Sequence, residues 1–223
     1  MESAVAVENR ANSITQRTIR RGRNIDRHHA QFMQRLALFG GSFDPVHLGH
    51  LLVAQAALEE LLLTRLFFIP AAQSPFKPER QPTGSNERLR LLRLALTGKA
   101  WCEIDPQEIE RGGISYTIDT AQNYATRFPE AELFYIIGAD HVSQLPKWRE
   151  AGQLARLMEF IVISRPGQTP TPFPPPFRGR TLTGFPLGIS SSQIRDRVKN
   201  RLPIDHLVPD AVAEAIHHNR LYL

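Results

Sequence analysis

Two histidines three residues apart, His47 and His50, close the stretch Gly-Gly-Ser-Phe-Asp-Pro-Val-His-Leu-Gly-His at 40–50. At a helix start that spacing puts both imidazoles on one face, where two N–H donors could reach the oxygens of one phosphate as charge shifts during transfer. Gly40 and Gly41 omit the side chains that would hold a polyphosphate away from the backbone, Asp44 can cap the turn or orient a neighbour, and Pro45 fixes its shape. A second segment, Gly-Ile-Ser-Ser-Ser-Gln-Ile-Arg at 188–195, offers the cap hydroxyls of Ser190, Ser191 and Ser192. Arg195, one helical turn in, carries a fork that suits two phosphate oxygens. Each helix opening exposes unpaired N–H groups and the positive end of a dipole, so together they would clamp a polyphosphate from two sides.

Each feature also has a plainer reading. The histidine pair could hold zinc, but that metal wants further ligands and the chain has no His-Glu-x-x-His pattern. A glycine turn by itself only ends a strand, and a serine cap with an arginine is by itself only a helix start.

These segments need a scaffold, and hydrophobic periodicity supplies one. Residues 36–39 read as a short buried strand stopped by Gly40 and Gly41, and 48–63 as an apolar-rich helix. Strands follow at 65–69, 101–104, 132–137 and 159–164, with helices at 87–96, 118–127 and 148–156. Residues 166–186 hold seven prolines and read as a loop, with 181–183 pairing inside it. Helices then run from the serine cap through Lys199 and from Pro209 to about His218. Alternating strands and helices predict a doubly wound parallel α/β sheet whose ligands sit beyond the carboxyl ends of the strands.

Of 223 residues, 42% are hydrophobic and 22% charged, which suits one substantial domain at 33–223, and no apolar run approaches a membrane span. The lone Cys102 excludes a disulfide framework and makes the cytoplasm the expected compartment. The net charge of +5 is concentrated in 1–32, where six arginines face three acids. That segment reads as a disordered basic extension, with an RNA-touching arm or a transit peptide as the other readings. The arginine-rich stretch at 87–93 reads as a solvated helix face with local ion pairs.

The two site segments resemble the nucleotidyltransferase superfamily that carries H-x-G-H and I-S-S-x-x-I-R signatures. SPFKP at 74–78, GGISYTIDT at 112–120, FYIIGADH at 134–141, LPKW at 145–148 and VISRPG at 162–167 narrow the resemblance to the bacterial nicotinate-nucleotide adenylyltransferases over about residues 34–223. What it implies is a Rossmann-like fold, helices on both faces of the sheet, and an adenylyl transfer from ATP to nicotinate mononucleotide with magnesium. By the same resemblance, Gly40, Gly41, Ser42 and Phe43 line the nucleotide cleft, and His47 and His50 meet the ATP phosphates. Ile189, Ser190, Ser191, Ser192 and Arg195 hold the outer phosphates and Asp140 faces the ribose. Lys77 is a further phosphate contact, and Tyr116, Thr117 and Trp148 receive the nicotinate nucleotide. The chain departs from the common family word at Phe76, where histidine is usual.

A nicotinamide or pantetheine phosphate acceptor, a cytidylyltransferase, and a non-catalytic nucleotide- or RNA-binding regulator are the competing readings. The partners expected on the leading reading are two small-molecule substrates, with neither membrane nor nucleic acid. A homo-oligomer is compatible with it.

Overall fold

The computed structural model describes residues 33–76, 81–163, 171–185 and 187–223. The basic extension, Lys77 and Ser164 lie outside the described residues. Gln34–Leu223 forms one compact unit.

Six strands build one sheet: β1 (Arg35–Gly41), β2 (Arg65–Pro70), β3 (Cys102–Ile104), β4 (Glu132–Ile137), β5 (Glu159–Ile163) and β6 (Gly179–Leu182). Their spatial order is β3-β2-β1-β4-β5-β6, and every neighbouring pair is parallel. The order reverses between β1 and β4, whose registers place Leu38 opposite Tyr135. A doubly wound sheet opens a crevice at such a reversal, because connections leave the two central strands in opposite directions.

The helices are α1 (Leu48–Glu60), α2 (Ser85–Leu96), α3 (Gln107–Arg111), α4 (Thr117–Arg127), α5 (Ala151–Leu157), α6 (Ser191–Lys199) and α7 (Asp210–His218). Side chains alternate along β1 and sort the core into two layers. Ala37 and Phe39 pack with Ala54 and Ala57 of α1, Leu91 and Leu92 of α2, Ile194 of α6 and Val212 of α7. Leu36 and Leu38 face the other way, against Ile118 and Tyr124 of α4 and Leu154 of α5. Each fully buried leucine is worth about 1.5–3 kcal/mol, so both faces of the sheet are committed.

Four local features differ from the sequence expectation. Residues 148–150 do not begin a helix: Trp148 is extended and Glu150 has φ 52°, so α5 starts at Ala151. The segment Ala139–Lys147 is a 3₁₀ helix and Gln107–Arg111 a short α-helix, both too brief for a periodic signal. Gly179–Leu182 joins the main sheet beside β5 and does not pair within a loop. Arg88 does not lie on a solvated face; its side chain is fully buried, while Arg90 makes the expected i,i+3 ion pair with Glu87 at 3.5 Å. Cys102 is a packing residue whose thiol burial pushes up to about 11. Among the described residues no helix is long and apolar enough to cross a membrane.

Candidate active site

The loop from β1 to α1 lies outside any strand ladder, so its carbonyls need partners from elsewhere. Gly41 accepts from the Ala71 N–H at 2.9 Å. Ser42 accepts from Arg88 Nη1 at 2.9 Å, and the same buried guanidinium reaches the carbonyls of Ala71 at 2.7 Å and Thr83 at 2.8 Å. Asp44 accepts at its carbonyl from Arg195 Nη1, and Pro45 from Ser191 Oγ at 2.9 Å. The Asp44 carboxylate is buried and accepts from the Thr83 N–H at 3.3 Å and the Tyr222 hydroxyl at 3.0 Å. Burial lowers the Arg88 pKa, against the opposing pull of Asp44 and Tyr222.

His47 caps α1, and each histidine holds the other in place. The His47 Nδ1 accepts from the His50 N–H at 3.3 Å, and the His50 Nδ1 accepts from the His47 N–H at 3.2 Å. A ring nitrogen that accepts carries no proton, so both neutral imidazoles hold theirs on Nε2. The rings stack with centroids 3.7 Å apart. Gly49 between them makes room, since a β-carbon there would lie 3.0 Å from the His47 ring. Phe43 meets the His50 ring edge-on at 5.0 Å, with Phe39 at 5.9 Å. Burial, and secondarily the nearby His47, hold the His50 pKa well below the ordinary histidine value.

At the first helix opening the structure modifies the picture of a bare amide cradle. The Leu48 N–H donates to the Leu207 carbonyl at 3.0 Å and the His50 N–H to His47, so these two amides are committed within the protein and the imidazole protons join the donors of this opening. The two glycines at the end of β1 are also constrained by packing. A β-carbon at Gly40 would overlap Tyr135 Oη, and one at Gly41 would press on the Phe43 ring at 3.1–3.3 Å.

The second opening is a capping box: Ser190 Oγ accepts from the Gln193 N–H at 3.3 Å and Gln193 Oε1 from the Ser190 N–H at 2.9 Å. Both openings face one cleft of about 430 Å³ at the β1–β4 reversal. Ser42, Phe43, His47 and His50 of the first opening and Ile189, Ser190, Ser191, Ser192 and Arg195 of the second all line it, together with Ile136 to Ala139 at the end of β4. A volume of that order suits a nucleotide-sized ligand.

The family model of the cytidylyltransferase-like proteins matches residues 38–197. The nicotinate-nucleotide adenylyltransferase of Bacillus subtilis is 39% identical over 191 residues, covering 85% of this chain and 99% of that one. The probable nicotinate-nucleotide adenylyltransferase of Opitutus terrae is 41% identical over 195 residues, 84% of this chain and 97% of the other.

The chain belongs to the nicotinate-nucleotide adenylyltransferases.

Its fold is that of the nicotinic acid mononucleotide adenylyltransferase of Plasmodium falciparum solved with NaAD, with a TM-score of 0.68 at 18% identity over 85% of this chain and 97% of that one.

In this nicotinate-nucleotide adenylyltransferase chain several residues singled out from sequence, Gly40 and Gly41 among them, are not part of the cleft lining. Asp140 follows the lining residue Ala139, with its side chain 77% exposed. Thr117 and Trp148 gather around Tyr135, whose hydroxyl is 3.4 Å from Thr117 Oγ1 and whose ring is 6.2 Å from the indole. Tyr116 stacks under Arg149 at 4.7 Å. Phe76 packs 5.5 Å from Trp148 and 5.0 Å from His141. Trp148 Nε1 is buried without a hydrogen-bond partner among the described residues. Arg88, Thr83, Tyr135 and Tyr222 escaped sequence reasoning, because each reaches the site through contacts distant in the chain.

Proposed function

We propose that the chain transfers the adenylyl group of ATP to the 5′-phosphate of nicotinate mononucleotide, giving nicotinate adenine dinucleotide and pyrophosphate. The acceptor phosphate attacks the α-phosphorus in line, the bond to the β-phosphate oxygen breaks, and pyrophosphate leaves. No protein nucleophile is needed, so positioning and charge stabilisation carry the rate. His47 and His50 donate from Nε2 to oxygens on the α-phosphate, where charge builds in the transition state. Arg195 and the start of α6 hold the β- and γ-phosphates, with Lys77 as a further contact. Ser42, Phe43 and Ile189 form the nucleotide walls, with Gly40 and Gly41 shaping the strand end and Asp140 facing the ribose. Tyr116, Thr117 and Trp148 receive the pyridine ring, the unpartnered indole N–H being a donor a ligand could use.

The described residues hold no group of three or more His, Cys, Asp or Glu suited to a metal, and magnesium would enter with the substrate as MgATP. When bound it neutralises phosphate charge. The observation that carries the reading is the reciprocal histidine cap, which leaves the Nε2 protons of two imidazoles on the cleft that Arg195 also lines.

The test is turnover with MgATP, comparing nicotinate mononucleotide, nicotinamide mononucleotide and pantetheine phosphate as acceptors. Nicotinate mononucleotide is the acceptor expected to be used best, and His50→Ala should cut kcat by about 10²–10³ with the fold intact. Conversion of pantetheine phosphate with nicotinate mononucleotide ignored would overturn the acceptor, and near-normal turnover of His50→Ala the mechanism.

A further inference from the structure

Glu108 lies on the short helix α3 and is buried, although no step of the proposed reaction uses it. Its Oε1 accepts from the Thr120 hydroxyl at 2.6 Å, and the carboxylate receives a second hydrogen bond from the Ser115 hydroxyl. Ser115 and Thr120 are buried as well, and they bracket Tyr116 and Thr117 at the turn into α4. Burial raises the Glu108 pKa, with Thr120, Ser115 and Arg111 opposing the shift and Asp105 adding to it.

The turn needs such a hold. Gly112 and Gly113 have φ 70° and 67°, a left-handed pair that bends the chain out of α3 and has no side chains to fix the bend. Tyr116 is the N-cap of α4, and among the described residues no side-chain cap ties that helix start. One carboxylate instead fastens a hydroxyl on either side of the turn. Ser115 passes the fastening to the segment after β2: its Oγ accepts from the Ala72 N–H at 2.9 Å and its N–H donates to the Gln73 carbonyl at 2.9 Å, next to Ser74 of the cleft lining. On the far side, Thr117 Oγ1 lies 3.4 Å from the Tyr135 hydroxyl, around which Trp148 also packs. An apolar side chain of similar size would fill the buried space without the desolvation penalty of an acid, so what the acid adds is the placement of its two partners.

We infer that Glu108 is a positioning residue for the acceptor end of the site: by holding Ser115 and Thr120 it sets where Tyr116 and Thr117 stand to receive the nicotinate nucleotide. The inference rests on the proposed reading of those two residues as acceptor contacts. The carboxyl acts through the two hydroxyls and not on a reacting atom.

The experiment uses the full chain and compares wild type, Glu108→Gln, Glu108→Leu and Thr120→Val in steady-state kinetics with MgATP and nicotinate mononucleotide, at a temperature where circular dichroism shows each protein folded. Glu108→Leu removes the acceptor of both hydroxyls and should raise the KM for the mononucleotide about tenfold, leaving the KM for ATP within about twofold. Glu108→Gln keeps an amide oxygen that accepts from Thr120 and should stay within about threefold of wild type. Thr120→Val preserves the shape and removes one of the two bonds, so it should raise the same KM at least about threefold, and it decides the matter where the leucine variant does not fold. An equal rise in both KM values, an unchanged KM for the mononucleotide, or a glutamine variant as impaired as the leucine one would overturn the inference. Affinities for both ligands are measured by calorimetry in parallel. Wild type that turns over another acceptor, or binds both ligands without turnover, would sink the proposed reaction, while a loss confined to the acceptor side would still decide the role of Glu108.

Discussion

Arg195 donates to the carbonyl of Asp44 across 151 residues of chain, and this bond, with that of Ser191 to Pro45, ties the opening of α6 to the loop that opens α1. The two helix starts are thus one assembly. Their spacing does not depend on a ligand to draw them together, which is the preorganisation that electrostatic stabilisation of phosphoryl transfer requires.

Arg88 is the keystone of that assembly from below. Arg88→Met would strip donors from the carbonyls of Ser42, Ala71 and Thr83 at a fully buried position. A loss of about 3–5 kcal/mol is expected, out of a total stability of about 5–15 kcal/mol. Urea unfolding measures it. Arg88→Lys, which cannot reach three carbonyls with one ammonium, should recover only part.

Gly40 distinguishes packing from ligand contact. In Gly40→Ala the new methyl would overlap Tyr135 Oη, which is buried at the β1–β4 seam, so destabilisation of about 1–3 kcal/mol is expected even without nucleotide. Combining it with Tyr135→Phe should return part of that loss in a thermal melt. A Gly40→Ala variant of wild-type stability that is impaired only in ATP binding would restore the ligand-contact explanation.

His50 should make stability depend on pH in one direction. Its folded pKa is depressed by burial, so in the window below the ordinary value the unfolded chain binds a proton that the native state refuses. Stability contributed by the neutral ring is complete above about pH 6.5 and is lost as pH falls below it, at about 1.4 kcal/mol per pH unit until the folded pKa is reached. Urea titrations at pH 8, 7, 6 and 5 should show a shallower acid decline in His50→Gln than in wild type.

The strands were readable because β1, β4 and β5 are near-continuous apolar runs with glycine stops or a proline-rich sequel, the pattern of strands buried on both faces. The serine cap was readable because capping is local chemistry within three residues, whereas the cap of α1 is His47 and not the Asp44 that the sequence offered, since a histidine is not a usual cap. Arg88 was not: Arg88, Arg90 and Arg93 look alike in α2, and only the loop that arrives over Arg88 sets it apart. The start of α5 was misplaced because the left-handed Glu150 interrupts a stretch whose composition suits a helix. The packing constraint on Gly40 was not legible because its neighbour, Tyr135, lies on a strand almost a hundred residues later.

The carbonyls of Gly41, Ser42, Asp44 and Pro45 are each satisfied from another part of the molecule: the end of β2, the middle of α2, and two positions on α6. A grafted copy of residues 40–50, installed on a foreign strand and helix, would thus transplant both imidazoles and strand the turn between them. The portable unit for an engineer is the eleven-residue turn together with an arginine, a serine and a second arginine supplied in register by the host.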